Sequence, residues 1–507
     1  MFPDNTTLAP ARAVRIKNRP ISVSASNLRR KIWLIASYDP AKTGVNDDVP
    51  KEYLNANQVG DELGYGFSAH YLATQAFKYG SGVSVWITPQ KEASGATAAT
   101  CTLTVTASNA LAGTLHLFVN DDGVDVPVSK SESAADIAAA IVAKVNADHS
   151  LPVTAANTAA VVTFTAKSKG TFGLGIKISV NLGLNQTLPS GVTVAITSMT
   201  GGATDPDIQD ALDGNGTGDA SNTIGATDGA YSYKTTADIL SKIATWVGLG
   251  DTAINCWAPT VGKPVRFVSV STEAGSTGYN NMKTITDGAV YDRANAYVGA
   301  PDAYGHPAAL ATAITSIAAQ INQAVPHDSY VGEIINTYVG TDRWTDAGTS
   351  RQSAIAAGIS CTRVVNGQLT IDGMVSLYRP SSIPENNNAY RAWRNISIFQ
   401  NILKHYLDVW AARPRFTIVE DIAEVDPQDK PYVLDINGVK GIVAKAIKAW
   451  KRRAWIFESD NAIKNQTVTL RTANNGFDIT IPIILSGEGV VSNTVIYADI
   501  NLTVYSN

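Results

Sequence analysis

The sequence predicts a multidomain protein that combines α/β and α+β architecture, and three observations support this prediction. A strand, a helix and a second strand follow one another between residues 31 and 89. The composition changes near residue 91 and again near 205, and two long amphipathic helices follow in the C-terminal region. A chain of 507 residues also exceeds what one hydrophobic core usually supports.

The first α/β unit begins with KIWLIAS at 31–37, an apolar run typical of a buried strand. Apolar residues then recur at helical spacing through SAHYLATQAFKYG and stop at Gly80, which suits a helix C-cap. VSVWITP at 83–89 is the second strand. The alternation resumes after residue 206, with predicted helices near 235–248, 307–324 and 351–358 and strands at 266–271 and 330–336. We therefore expect one α/β domain formed by 21–90 together with 206–385.

Residues 91–205, called the insertion below, are richer in Ala, Thr, Ser and Gly. They carry their own pattern of four strands and one helix: 102–107, 114–120, 160–167 and 176–181, with the helix at 132–148. A small α+β domain inserted into a loop of the host explains both changes of composition. GTFGLG at 170–175 lacks the Lys-Ser/Thr ending of a phosphate loop and is predicted to be a tight turn.

Both ends of the chain are predicted to be extended arms. In 1–20, Val14 and Ile16 alternate with basic residues. In 493–507 an alternating pattern places five apolar residues on one side of a strand: Ile496, Ala498, Ile500, Leu502 and Val504. A terminal strand either pairs within its own sheet or is available to the sheet edge of another molecule.

A C-terminal domain is predicted at 386–492, built on two helices. The first carries a stripe of large apolar residues before Pro414: Tyr390, Trp393, Ile396, Phe399, Leu403, Tyr406 and Trp410. We interpret it as a principal core helix. The second, at 438–456, carries five cations on one face and apolar residues on the other: Lys440, Lys445, Lys448, Lys451 and Arg452.

The basic face of the second helix has two interpretations. A solvated face is the ordinary one. Solvated faces, however, usually intersperse Glu with Lys, because like charges at helical spacing repel one another. An acidic protein partner would relieve this repulsion. Nucleic acid is a poorer candidate, because the net charge of the chain is −4 and its pI is near 5.9.

Composition also argues against several kinds of site and location. Cys101, Cys256 and Cys361 are widely spaced and include no C-x-x-C motif, so neither a disulfide framework nor a zinc site is predicted. The first twenty residues lack the apolar core of a signal peptide, and no apolar run is long enough to span a membrane. We expect assembly in the cytoplasm, with no membrane insertion and no cofactor.

No catalytic site is predicted. Gly66 to His70 matches four of the five places of the nucleophile elbow G-x-S-x-G. Ser68 directly precedes a helical pattern, however, and an N-cap is the favoured interpretation. The histidines are scattered without metal-ligand spacing. A serine hydrolase using Ser68 stays open as the enzyme alternative, and a carbohydrate-binding or adhesin module as the binding alternative, based on the β-rich insertion.

Taken in order, several stretches resemble the contractile tail sheath proteins of bacteriophages, and most closely the Mu-like branch. They include RRKIWLIASYD, GDELGYGFSAHYLATQAFKYGSGVSVWITP, RQSAIAAGISCTRVVNGQLTIDGMVSLYRP, NNNAYRAWRNISIFQNILKHYLDVWAARPRF and IPIILSGEGVVSNTVIYADINLTVYSN. The insertion looks like the small domain often found in that branch. The resemblance rests on order and spacing over most of the chain, and the C-terminal third is its most specific part.

The resemblance implies a structural subunit without enzymatic activity. Such subunits form hexameric rings that stack helically around a tail tube, and they contract to drive the tube through a bacterial envelope. The implied partners are further copies of the chain, the tube, the baseplate and the tail terminator, and the implied location is the virion tail. A tailocin or another contractile injection system is the alternative machine.

In the family, terminal arms add strands to the C-terminal domains of neighbouring subunits, and a basic helix attaches to the tube. By resemblance these roles fall on 1–20, on 493–507 and on the five cations of 438–456. The insertion is expected to be an outward decoration, so that a subunit with a short linker in its place would still fold and polymerise.

Overall fold

The computed structural model describes residues 26–248, 256, 262–273, 275–289, 292–340, 351–379, 389–413, 416–471 and 476–487. The chain divides into two compact units. The larger unit holds described residues from Asn27 to Arg413 and 484–487, and the smaller one holds Ser26 and those from 416 to 483. The predicted mixed α/β multidomain class is confirmed, whereas the predicted domain ranges stay predictions.

A nine-stranded sheet, the host sheet, forms the centre of the larger unit. Its strands are β1 (Lys31–Ser37), β2 (Lys51–Tyr53), β3 (Ser84–Gln90), β11 (Asp228–Tyr231), β12 (Arg266–Ser271), β13 (Asn295–Gly299), β14 (Ile334–Ile335), β15 (Ile359–Val365) and β16 (Gln368–Gly373). The spatial order is β14-β16-β15-β13-β12-β11-β1-β3-β2. Neighbours from β3 to β15 are parallel, and the outer strands β2, β16 and β14 pair antiparallel.

Helices cover both faces of the host sheet, which explains why its strands are apolar on both sides. On one face lie α1 (Ala56–Leu63), α2 (Ser68–Tyr79) and α7 (Pro307–Ala324). On the other lie α4 (Ile208–Gly214), α5 (Ala237–Val247), α6 (Gly275–Thr286) and α8 (Arg351–Ala356). The connection from β1 to β3 crosses the first face of the sheet, and the connection from β11 to β12 crosses the second. The topological switch point of the sheet therefore lies between β1 and β11.

The insertion leaves the host after β3 and forms two small sheets. Its strands are β4 (Thr100–Ala107), β5 (Gly113–Val119), β6 (Asp122–Val128), β7 (Val153–Thr158), β8 (Val161–Ala166), β9 (Ile178–Val180) and β10 (Val192–Ile196). They pair in the orders β10-β4-β8-β7 and β6-β5-β9. The helix α3 (Ala134–Ala147) begins after its N-cap Ser133, whose hydroxyl accepts the Asp136 amide. The predicted turn at 170–175 is a 3₁₀ turn over Thr171–Gly175.

The amino ends of the host strands are joined to α9 (Trp393–Ala411) by a buried ionic cluster. Arg266 Nε donates to Asp228 Oδ1 at 2.7 Å, and Arg30 Nη1 lies 3.6 Å from the second oxygen of that carboxylate. Arg30 also donates to Ser397 and Gln400 of α9. This helix therefore belongs to the larger unit.

The stripe predicted on α9 is not its most buried face. Trp393 and Ile396 of the stripe are buried, but its members from Phe399 onward are only half-buried. The polar residues Arg394, Ser397 and Asn401 are buried instead. The physical reason is the ionic cluster, because its guanidinium groups need polar partners from the helix. The predicted core helix is real, but it is rotated relative to its aromatic stripe.

The smaller unit contains two helices and short strands. They are β17 (Thr417–Ile418), β18 (Val433–Leu434), α10 (Ile436–Arg452), β19 (Ile456–Phe457), α11 (Ser459–Asn465), β20 (Thr467–Leu470) and β21 (Phe477–Thr480). The last described strand, β22 (Ile484–Leu485), is assigned to the larger unit.

Candidate functional site

Helix α10 carries the predicted basic face. It begins after Asp435, whose side chain accepts the Gly438 amide at 2.6 Å and so caps the helix. Its apolar side is buried within the smaller unit: Val439, Ile442, Val443, Ala446, Ile447, Ala449 and Trp450. The helix ends at Arg452, whereas the sequence predicted an end at Ile456, because Ala454 adopts the left-handed conformation (φ 55°).

The cations of this helix face away from its buried side. Lys445, Lys448, Lys451 and Arg452 are exposed, and Lys440 is half-buried. Within the described part of the chain, none of the four lysines lies within 4.0 Å of a carboxylate. Positive charge is favourable in the last turn, where it faces the negative end of the helix dipole. Before the last turn, the lysines of this face mainly repel one another.

The smaller unit also presents short strand pairs. β17 pairs with β18 in parallel and β20 pairs with β21 antiparallel, and no third strand joins either pair among the described residues. Leu470 is 41% exposed and Thr467 and Thr469 are exposed as well. A lone two-stranded sheet is marginally stable, and its outer edges offer backbone groups to an added strand.

The residues predicted to donate such strands lie outside the described residues. They are Val14, Ile16, Ile496, Ala498, Ile500, Leu502 and Val504. The assignment of strand donation to them and of tube binding to α10 therefore stays a prediction.

The structure places Ser68 differently from the sequence interpretation. Phe67 is the N-cap and Ser68 is the first residue of α2. The Ser68 hydroxyl is fully buried and donates to the Ser37 carbonyl at 2.9 Å. The nearby His70 ring accepts the Gly66 amide through Nδ1, and burial lowers the pKa of His70 to about 4. Ser68 and His70 are thus both committed to backbone groups, and they do not form a nucleophile–base pair.

Other reactive side chains are also held in the fold. The three cysteines are buried, and burial raises the pKa of the Cys101 thiol to about 11, so this thiol stays protonated and inert at neutral pH. In the described residues, no group of three or more His, Cys, Asp or Glu side chains is arranged to hold a metal ion. None of the described helices is both long and apolar enough to cross a bilayer.

Comparison with curated sequences gives a match over part of this chain. The Mu-like prophage FluMu tail sheath protein of Haemophilus influenzae is 28% identical over 138 residues, which cover 27% of this chain. The match spans 28% of the length of that relative. No family model matches the chain. The local match confirms the resemblance to Mu-like sheath proteins.

Solved structures with low identity align over nearly the whole chain. A sheath tail protein from Desulfitobacterium hafniense aligns over 94% of this chain and 100% of its own length, with a TM-score of 0.46 and 12% identity. The PVC sheath of an extracellular contractile injection system, in the contracted state, aligns over 98% of this chain and 99% of its own, with a TM-score of 0.47 and 8% identity. The contracted helical sheath of the anti-feeding prophage has a TM-score of 0.43 and 9% identity, over 98% and 99% of the two chains.

Proposed function

We propose that this chain is the structural subunit of a contractile tail sheath. The observation that carries the proposal is the 138-residue match to a Mu-like tail sheath protein. The subunits would form hexameric rings stacked around a tail tube, in a bacteriophage tail or a related injection machine, and contraction would drive the tube through a bacterial envelope. The role is mechanical and requires no catalytic site.

Two features of the smaller unit support this proposal. The exposed lysines of α10 lack acidic neighbours within the described residues, which suits an acidic protein surface such as a tube. The two-stranded sheets offer edges to which a neighbouring subunit could add a strand. We assign tube binding to Lys440, Lys445, Lys448, Lys451 and Arg452, and strand donation to 1–20 and 493–507. The baseplate and the tail terminator would contact the ends of the polymer.

The experiment that tests the proposal is truncation after Val491, followed by thermal melting and sedimentation. The full chain is expected to sediment as large polymers. The truncated chain should melt close to the full chain but sediment as a small species, because it lacks the strand that joins subunits. As a matched control, Tyr497→Thr changes the opposite side of the strand pattern and should leave sedimentation unchanged.

Two results would contradict strand donation. If the truncated protein still forms polymers of wild-type size, the C-terminal segment does not join subunits. If the truncation mainly lowers the melting temperature, the segment belongs to a sheet of its own subunit.

A further inference from the structure

The carboxyl edge of the host sheet contains the crevice in which doubly wound proteins bind ligands. That crevice lies at the switch point between adjacent strands, here β1 and β11. The floor of this crevice is formed by three buried polar side chains that contact one another. The Tyr233 hydroxyl, just beyond β11, donates to Gln90 Oε1 at 2.8 Å and lies 3.4 Å from the Ser37 hydroxyl at the end of β1.

A segment of the insertion, Ser168–Gly175, lies over this crevice and is called the crevice segment here. Ser168 Oγ accepts the backbone amide of Ser68 at 2.9 Å, in the first turn of α2. Thr171 Oγ1 accepts the amide of Lys234, which follows β11, at 2.8 Å. Backbone amides at these places bind phosphate or carboxylate ligands in other doubly wound sheets, and here the chain's own side chains satisfy them.

The start of α7 also contacts the crevice segment, and here the host is the hydrogen-bond donor. His306 Nδ1 accepts the Ala308 amide at 3.1 Å, so Nε2 carries the proton and donates to the Phe172 carbonyl at 2.8 Å. The Phe172 ring stacks on the His306 ring with centroids 4.1 Å apart. Phe172 is 2% exposed, so it is buried as completely as a core residue.

At two glycines, the host and the insertion lie too close together to leave room for a side chain. A Cβ on Gly66, before α2, would come within 2.2 Å of the Leu151 carbonyl oxygen of the insertion. A Cβ on Gly175, in the crevice segment, would come within 2.6 Å of His306 Nε2. The cleft that remains beside the segment is about 140 Å³, well below the ~300–1,000 Å³ of typical ligand pockets.

A second set of contacts fixes the insertion to the host. Asp121 accepts the Thr337 hydroxyl and the Tyr338 amide, each at 2.9 Å. Lys177 Nζ lies 3.0 Å from Asp302 Oδ1 and donates to the Ala303 carbonyl at 2.8 Å. Because the two sets lie at different places on the host, the insertion cannot turn about a single hinge.

We propose that the ligand crevice of the host sheet is occupied by the chain's own crevice segment, which makes the insertion an integral part of the host fold. The crevice then has no room for a nucleotide or a similar small molecule. Replacing 91–205 by a linker would expose the apolar surface under Phe172 and leave the amides of α2 and Lys234 without these acceptors. We therefore expect such a deletion to destabilise the host, unlike the removal of an outward decoration.

Hydrogen exchange of the full chain in low denaturant, read by mass spectrometry, tests this directly. Peptides that cover the crevice segment, the first turn of α2, residues 231–236 and the start of α7 should lose protection together, with one free energy of opening. If the insertion opens at lower denaturant while the host peptides keep their full protection, the proposal is wrong.

A pair of matched variants locates the effect. Phe172→Ala should speed exchange in the three host peptides by at least ~10-fold, because the host loses a buried aromatic contact. The matched control is Leu184→Ala, which removes a large apolar side chain of the insertion that is 93% exposed; it should leave exchange in the host peptides unchanged. Equal host protection in Phe172→Ala and wild type would overturn the proposal. If Phe172→Ala does not fold, Phe172→Leu is measured in the same way, and the wild-type experiment decides independently.

Discussion

The host sheet binds other segments at two edges, the amino edge formed by the amino ends of its strands and the carboxyl edge formed by their carboxyl ends. The contacts at these two edges differ in chemistry. At the amino edge, α9 is bound through charges, because Arg30, Arg266 and Asp228 are buried together. At the carboxyl edge, the crevice segment is bound through neutral hydrogen bonds and an aromatic stack. Burial costs a charged group far more than a neutral one. The amino edge should therefore be far less tolerant of losing a single partner.

The amino edge illustrates how a buried charge depends on its partners. Arg266 donates to Asp228, to the Trp393 carbonyl at 2.6 Å and to Asn322 Oδ1 at 2.8 Å, and its guanidinium lies 4.9 Å from the Trp393 ring centroid. Burial lowers the pKa of Arg30 to about 10, and Arg266 contributes in the same direction. Both guanidinium groups stay charged at neutral pH, so the stability of the buried cluster depends on the Asp228 carboxylate that they share.

The largest effect is expected for Asp228→Ala. This change leaves two buried guanidinium groups without their carboxylate and should lower the free energy of unfolding by about 3–5 kcal/mol. Denaturant titration measures the loss. Asp238→Ala is the matched control, because its carboxylate is 70% exposed in an ion pair with Lys242, and it should cost less than ~1 kcal/mol. Equal effects of the two variants would contradict the charged account of the amino edge.

At the carboxyl edge, acid should weaken the fold through His306. Burial lowers the pKa of His306 to about 4, below its ordinary value of 6.5. Between these values the unfolded state binds the proton and the native state does not, so this contribution to stability falls as pH drops from 6.5 toward 4. The full contribution is at most on the order of 3 kcal/mol. Asp122, whose pKa burial raises to about 6, acts in the opposite direction.

Comparing variants separates these contributions. His306→Gln should lose stability at pH 7 but show a shallower decline between pH 6.5 and 4 than the wild type. The exposed His149 serves as the control, and His149→Gln should follow the wild-type curve. Denaturant titrations at several pH values give the curves. A slope unchanged by His306→Gln would show that this histidine does not titrate with folding.

A smaller effect is expected for Ser168→Ala, which removes the acceptor of the Ser68 amide at the start of α2. The buried amide then lacks this partner, and the free energy of unfolding should fall by about 1–2 kcal/mol. Ser150→Ala, at an exposed position of the same insertion, should change stability by less than ~0.5 kcal/mol. Denaturant titration compares the two, and an equally small effect of Ser168→Ala would contradict the role assigned to its hydroxyl.

The smallest effect on stability is expected on α10, where charge is exposed rather than buried. Reversing Lys445, Lys448 and Arg452 to Glu should alter the free energy of unfolding by less than ~1 kcal/mol. Attachment to purified tail tubes, measured by co-sedimentation, should nevertheless weaken. Wild-type attachment should also fall with added salt, because exposed charges are screened beyond about 8 Å at physiological ionic strength. Undiminished attachment of the triple variant would mean that the face is merely solvated.

Local patterns in the sequence were sufficient to predict much of the fold. The alternation of apolar strands with amphipathic helices predicted β1, α2, β3, α5 and α7, because burial on both faces gives a strong local signal. Three strands of the insertion, β6, β7 and β10, were missed. DGVDVPV carries two aspartates and a proline, and VTAANT is made of small residues, so neither has the usual composition of a strand.

The contacts at both edges of the sheet could not be predicted in the same way. Phe172 and His306 are 134 positions apart, and each looks ordinary in its own segment. Arg266 begins an apolar strand and has no local feature that indicates a buried ion pair with Asp228. For α10, helical periodicity was enough to predict the exposed basic face, because a surface is defined within a single helix. Its partner is not.

Electron microscopy of the purified full-length protein tests the central claim most directly. A contractile sheath subunit should form hollow polymers or stacked rings with sixfold symmetry in end views. Uniform small particles of fixed size, at concentrations where the protein is folded, would contradict the proposed function.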